Sequence, residues 1–160
     1  MSIFVQSASA AVAQAIKTAG VWVAWGNGST SWDSAPVEAP TTATALVAES
    51  GRRRASLIQF VQSDPAGSII VPQGSFSVSS VPTSTLYVRC NFANTDAVGQ
   101  AIREGGVFIG TTLQPSVPVG QDYFAPSDLL DPGVMLLLER FAKITRTADF
   151  SVSLEFVMTL

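Results

Sequence analysis

The sequence has no histidine and only one cysteine, and both shortages limit its chemistry. Without histidine, His-based acid–base catalysis and the usual zinc sites are excluded. The single cysteine, Cys90 in LYVRCNF, cannot form an internal disulfide and is interpreted as a small, buried apolar residue. We therefore predict no metal site and no cofactor.

Charged residues are scarce too: they make up 13% of the 160 residues, against roughly 25% in an ordinary soluble domain. Hydrophobic residues reach 47%, so the surface of an isolated monomer would be unusually apolar. The longest apolar runs, VWVAW at 21–25 and VMLLLE at 134–139, are far shorter than the ~20 residues of a membrane-spanning helix. We therefore predict no membrane partner, and a surface that is largely buried against neighbouring proteins.

The net charge is −3, and the one basic run is Arg52–Arg54. Nucleic-acid binding normally needs a broader basic face, so no nucleic-acid partner is predicted. The first basic residue is Lys17, which leaves the Ala-rich N-terminal stretch without the positive start of a secretory signal. We therefore predict no secretory signal.

Short alternating segments dominate the pattern, and they predict a mostly β protein. In LYVRCNF, Leu86, Val88, Cys90 and Phe92 share one face, and DFSVSLEFVMTL alternates in the same way up to Leu160. We predict about eight strands in an antiparallel sandwich or barrel-like domain with one or two short helices. Residues 1–20 are predicted to form an N-terminal arm, and residues 21–160 a single β-rich domain with a long Pro-rich loop at 111–133.

Three local predictions concern helices and turns. A short helix is expected from Thr41 or Thr42 to about Ser50, with Gly51 as its left-handed stop and Arg52 at its C-terminal end. A second turn of helix is expected at 126–130 with Ser127 as its cap, and a third at 95–100.

The stretch AIREGGVFIGT at 101–111 places Arg103 and Glu104 beside two glycines within a strand. Adjacent glycines in a strand usually mark a bulge or the close approach of another backbone. We interpret Gly105 and Gly106 as permitting such an approach, and Arg103 and Glu104 as fixing it across strands or across subunits.

Two segments resemble bacteriophage tail proteins of the baseplate and fibre-attachment type. The first is LYVRCNF, a small turn and AIREGGVFIGT; the second is TALVAESGRRRASLIQFV, so the similarity covers about residues 42–112. The resemblance implies a structural role in the tail of a contractile-tailed phage, with assembly contacts in place of catalysis. The expected partners are other tail or baseplate subunits, and further copies of the chain in a symmetric ring or trimer.

Two other classes of function compete with this one. Trp22, Trp25 and Trp32 could form a sugar-binding platform in a β-sandwich carbohydrate-binding module for host recognition. Asp33, Asp96 and Glu104 could supply the acid pair of a hydrolase, but nothing in their spacing brings them together. We therefore predict a non-enzymatic chain whose candidate interface residues are Trp22, Trp32, Arg52, Arg53, Arg54, Arg103, Glu104, Gly105 and Gly106.

Overall fold

The computed structural model describes residue 3 and residues 5–160 of the chain. Within them, one α-helix, α1, spans Gln6–Ala19, and short 3₁₀ turns occupy Thr30–Trp32 and Pro126–Asp128. Eleven strands account for most of the rest: β1 Val21–Gly26, β2 Glu49–Arg54, β3 Leu57–Ser63, β4 Ile69–Val71, β5 Gly74–Val78, β6 Thr85–Phe92, β7 Ala101–Ile109, β8 Thr112–Leu113, β9 Leu129–Asp131, β10 Val134–Thr145 and β11 Val152–Thr159.

The strands form two large antiparallel sheets and a small one. The first sheet has the order β10-β7-β1-β2, the second has the order β11-β6-β3-β5-β4, and β8 pairs with β9. In the second sheet β4 comes to lie beside β11, so this sheet curls into a nearly closed, barrel-like form. The predicted fold class is thus confirmed.

The chain passes from one sheet to the other at corners. Between β2 and β3, the Ala55 N–H donates to Val21 O in the first sheet, and the next N–H, of Ser56, donates to Arg89 O in the second. The β6–β7 and β10–β11 connections are the other two corners, and they lie together because the Arg146 N–H donates to Gln100 O. Backbone hydrogen bonds therefore continue from one sheet to the other at these corners.

The main core lies between the two sheets. The alternating face of β6 contributes Leu86, Val88, Cys90 and Phe92, which are fully buried, as the sequence pattern predicted. The β11 face predicted from the same alternation joins this core through Leu154, Phe156 and Met158, and α1 joins it through Ala13 and Ile16.

Loops, not a second sheet, cover the outer face of the first sheet. There Trp22, Ala24 and Phe108 pack against Leu46, from the connection between β1 and β2, and against Phe124, from the 111–133 segment. A third cluster, around Val61, Val71, Phe76, Tyr87 and Val157, fills the inside of the curled second sheet. Both faces of each large sheet are thus apolar, which explains the high hydrophobic content of the sequence.

The helix predicted from Thr41 or Thr42 to Ser50 is wrong. Residues 41–48 form turns and bends, and Glu49 and Ser50 already belong to β2. Gly51 does not end a helix. It packs against the ring of Tyr123, and a Cβ at this position would clash because it would lie 2.4 Å from Tyr123 Cζ. Tertiary contact with the 111–133 segment outweighs the local helix signal.

The turns predicted at 95–100 and 126–130 are shorter and tighter than expected. Residues 94–99 form turns without an α-helix, and Ala97 has a positive φ of 51°. At the second site the 3₁₀ turn is capped at Ala125, whose N–H donates to Asp128 Oδ2 at 2.9 Å, and not by Ser127. The predicted long loop at 111–133 includes this turn together with β8 and β9.

Candidate functional site: internal arginines and an open sheet edge

Arg52 lies in β2 and is completely buried, with four polar contacts and an aromatic neighbour. Its Nε and Nη2 each donate to one oxygen of Glu49 at 2.8 Å. Its Nη1 donates to Thr111 Oγ1 at 2.8 Å and to Pro132 O at 2.7 Å, and the guanidinium lies 4.3 Å from the ring centroid of Phe108. Arg52 therefore joins β2 to both ends of the long 111–133 connection.

Arg53, the next residue, points to the opposite face and binds Asp96. Two hydrogen bonds form the pair: Nε to Oδ2 at 2.5 Å and Nη2 to Oδ1 at 3.0 Å. The hydrogen bonds with Asp96 raise the pKa of Arg53 further above its ordinary value. Asp96 also accepts the N–H of Ala93 at 2.7 Å, so its carboxylate closes the β6–β7 corner and holds it against β2.

Arg146 holds the β6–β7 and β10–β11 corners together. Its guanidinium donates to the carbonyls of Ala93, Asp96 and Phe150 at 2.8, 3.3 and 3.0 Å. The side chain is 1% exposed and lies over the Trp25 ring at 5.2 Å. No motif surrounds this arginine in KITRTADF, so the sequence offered no signal for its role.

Arg103 fixes the loop after β1. It donates to both carboxylate oxygens of Asp33, at 2.5 and 3.1 Å, and to the carbonyl of Asn27 at 2.9 Å. Lys143 Nζ approaches the same carboxylate at 3.2 Å. The hydrogen bond from Arg103, with a smaller effect from Lys143, lowers the pKa of Asp33 to about 2, and the carboxylate stays ionised over the whole working range of pH.

Glu104, Gly105 and Gly106 are buried within the chain. Glu104 Oε1 accepts the N–H of Ala48 at 2.9 Å, and its Oε2 has no hydrogen-bond partner. No bulge interrupts β7 opposite β1: Gly105 pairs with Trp25 and Gly106 with Ala24 in unbroken register. A bulge, one of the two features that adjacent glycines indicate, is therefore absent between β7 and β1, whereas the pairing of β7 with β10 shifts register between Met135 and Leu137 and between Arg140 and Ile144.

Side chains account for the two glycines. A Cβ on Gly105 would lie 3.1 to 3.3 Å from Leu154, Phe156 and Phe141, so three side chains from elsewhere in the core close over it. A Cβ on Gly106 would lie 3.0 Å from the Phe108 ring. The approach that the glycines permit lies within the domain, and at Gly106 it includes the backbone oxygen of Leu137, which would lie 3.3 Å from the Cβ.

The tryptophans are internal as well. Trp22 is 3% exposed, Trp25 is fully buried and stacks on Phe92 at 3.7 Å between ring centroids, and Trp32 is 8% exposed. Trp32 lies against Gly28 and beneath Arg140, whose guanidinium is 4.2 Å from its ring. These rings offer no exposed platform, so the structure gives no support to the carbohydrate-binding alternative.

The three acids considered for a hydrolase are not brought together. Asp33 binds Arg103, Asp96 binds Arg53, and Glu104 binds the backbone at Ala48. Among the described residues, no group of three or more Asp, Glu or Cys side chains is arranged to hold a metal ion. No helix in the described ranges is long and apolar enough to cross a membrane.

Of the nine candidate interface residues, most thus lie inside the fold. Arg54 is exposed, with its guanidinium 4.2 Å from the Trp22 ring, and Arg53 is half-buried. The structure brings Arg52, Arg54 and Trp22 to one face of the first sheet and places Arg103 and Trp32 at its end. Their role in contacts between subunits stays a prediction.

The exposed apolar surface lies elsewhere, on loops, edges and the N-terminal stretch. Ile70, Val134, Leu130, Val47 and Val81 are each more than 60% exposed, and Ile3 is 81% exposed. The composition predicts an apolar surface but not its position, because no sequence period distinguishes an exposed loop valine from a buried one.

Together, the curled antiparallel sheets and the internal ion pairs define a β-rich scaffold domain that presents apolar loops and edges. A model of the family described as "Baseplate wedge 3 tail fiber network component" matches residues 1–160. The chain belongs to this family of phage baseplate components, which confirms the resemblance seen in the sequence. No curated protein matches the chain.

Proposed function

We propose that the chain is a non-enzymatic connector between the baseplate and the tail-fibre network of a contractile-tailed phage. The family places it among the structural components of the baseplate, and therefore in the virion tail beside other baseplate subunits. The observation that carries the finer proposal is the distribution of polar and apolar groups. Most arginines bind partners within the chain, while bulky apolar residues are left on its loops and edges.

The mechanism follows from that distribution. Internal arginine contacts fix the corners of the fold, so the domain can transmit load without changing shape. The exposed valines, leucines and isoleucines supply apolar area that becomes buried when neighbours pack against them. The exposed sides of residues 1–20 and of the 111–133 segment would lie along adjacent subunits.

The test is incorporation into the particle. A phage whose gene for this chain is interrupted is complemented in trans with the wild-type chain or with Leu130→Asp and Val47→Asp variants, which place charge on exposed apolar positions. We expect the wild-type chain to restore infectious particles and to appear in purified baseplates. The variants should fold with an unchanged melting temperature but assemble poorly.

A matched control is Ser151→Asp, which introduces the same charge at an exposed position that is already polar. Baseplates that assemble normally, with their fibres attached, in the absence of the chain would overturn the proposal. Turnover of a glycan or peptide substrate by the purified chain would also contradict it.

A further inference from the structure

Sheet edges are the places where one β protein pairs with another, and β10 is the longest edge left open in the described residues. It spans 12 residues, eight of which pair with β7 across two register shifts, and among the described residues no backbone hydrogen bond reaches its outer side. The opposite edge of the same sheet, β2, is closed, because Arg52 and Phe124 exchange two backbone hydrogen bonds of 2.9 Å. In the second sheet, the β4 and β11 edges face each other.

A groove of about 220 Å³ follows the outer side of β10. Its walls are Ala39, Pro40, Thr41 and Ala43 on one side and Met135–Leu138 on the other. Four consecutive residues of β10 line the groove, although alternate side chains of a regular strand point to opposite faces. The register with β7 shifts between Met135 and Leu137, so the groove follows the backbone edge across an irregular part of the strand. The chain segment that faces β10 contains Pro36 and Pro40, which have no backbone N–H to donate. This segment is therefore poorly suited to pair with β10 as a strand.

The two halves of β10 differ in charge. All eight residues that line the groove are uncharged. The charged residues Glu139, Arg140 and Lys143 lie in the following half, where charges on an edge discourage pairing. A strand that adds to β10 must therefore be short, about four residues, and uncharged.

The chain itself contains such a segment. The five residues before α1 read MSIFV, have no charged side chain, and include Ile3, Phe4 and Val5, which favour extended structure. Ile3 is 81% and Val5 51% exposed, and the backbone of Val5 is extended, with φ −80° and ψ 154°. The start of α1 borders a different groove, formed with 61–63 and 82–85 of the second sheet.

We propose that the N-terminal segment, residues 1–5, of one copy adds as a strand to the Met135–Leu138 edge of a neighbouring copy. The donor comes from another molecule because α1 begins beside the second sheet, whereas β10 edges the first. Main-chain hydrogen bonds to the open edge would supply affinity, and the uncharged groove would select apolar side chains. Such a contact joins two different surfaces, so repetition generates a ring or an open chain of subunits.

This pairing rests on the proposed connector function and identifies a second copy of the chain as the partner of one of its surfaces. Self-association can be measured separately from incorporation into the baseplate. Ala43→Trp fills the groove, while Ala45→Trp, two residues along the same segment, is exposed and lies outside it. Ile3→Asp places a charge in the donor segment, with Val12→Asp on α1 as its control. The molar mass of each purified chain is measured by light scattering over a range of concentrations.

We expect the wild-type chain and both controls to form oligomers, and Ala43→Trp and Ile3→Asp to remain monomers. Mixing the two monomeric variants is the sharpest test. Ala43→Trp retains a normal donor and Ile3→Asp a normal acceptor, so a one-to-one heterodimer should form. A peptide with the sequence of residues 1–7 should bind Ile3→Asp but not Ala43→Trp.

A mixture that stays monomeric, or oligomers that persist in both variants, would overturn the inference. A wild-type chain that is monomeric at its highest soluble concentration would do the same. If that monomer is still incorporated into baseplates, only the self-pairing is wrong and the connector function stands. Failure of incorporation despite normal self-association would instead contradict the proposed function.

Discussion

Arg53 and Asp96 bind through two parallel hydrogen bonds of 2.5 and 3.0 Å, although 43 residues separate them. The contact joins β2 of the first sheet to the corner where the chain leaves the second. Asp96 is 3% exposed and Arg53 18% as side chains, so the pair is largely shielded from water. The geometry of one corner thus depends on a single carboxylate.

Removing that carboxylate should be more harmful than removing its arginine. Asp96→Ala deletes the partner of Arg53 and also the acceptor of the Ala93 N–H, and we expect a loss of about 3–5 kcal/mol in the free energy of unfolding. Arg53→Met should cost less, because Asp96 keeps its hydrogen bond from the Ala93 N–H. Urea denaturation measures both, with exposed Arg54→Met as the control; equal losses for the pair would contradict this account.

Arg146 provides a second test, because its three acceptors are all backbone carbonyls. Arg146→Met leaves these three carbonyls without their donor. Since each unpaired buried group costs about 1–3 kcal/mol, we expect the free energy of unfolding to fall by several kcal/mol. Arg146→Lys should recover only part of it, since an ammonium cannot reproduce the planar fork. A lysine variant as stable as the wild type would show that charge alone suffices.

Acid should weaken the contact between Asp33 and Arg103 over a defined range. The folded-state pKa of Asp33 is about 2, below the ordinary value of 3.8, so its contribution is fully present above pH 4 and disappears as the pH falls through 2. The stability difference between the wild type and Asp33→Asn should shrink over that interval. Asp149→Asn, an exposed acid, serves as the control; a difference independent of pH would refute the ion pair.

Gly51 and Gly105 should respond differently to alanine. At Gly51 the new Cβ would meet Phe124 O at 2.8 Å as well as the Tyr123 ring, and backbone cannot move aside easily. At Gly105 the nearest atoms are the ends of side chains, at 3.1 Å or more. Gly51→Ala should therefore lie at the upper end of the about 1–3 kcal/mol typical of overpacking, and Gly105→Ala at the lower end, as measured by thermal unfolding.

Cys90 should be unreactive in the folded protein. Burial raises the pKa of its thiol to about 12, so almost no thiolate exists at neutral pH. A chromogenic disulfide reagent at pH 8 should modify the chain only after unfolding in guanidinium. Rapid modification of the native chain, with its melting temperature unchanged, would show that the thiol is accessible.

The sequence predicted the fold class and several strands because alternation reports burial directly. The core-facing residues of β6 and of the centre of β11 follow from LYVRCNF and SLEFVM, but Tyr87 and Val157 on the opposite faces are buried as well, inside the curled second sheet. The prediction failed at residues 41–50, where a capping threonine and a following glycine favour a helix. In the structure, Gly51 lies in a strand against the ring of Tyr123, 72 positions later in the chain, and a side chain at Gly51 would clash with that ring. Nor could the sequence identify the partners of Arg103 and Glu104, which were predicted to act across strands or across subunits, since Asp33 and Ala48 lie far away in the chain.

The guanidiniums of Arg53 and Arg146 bind acceptors 43 and 53 residues away in the chain. The corners between the two sheets therefore close only when distant parts of the sequence have come together. A copy cut short before Arg146 would lack one of these closures, so a growing baseplate would receive finished surfaces only from subunits that extend past this arginine.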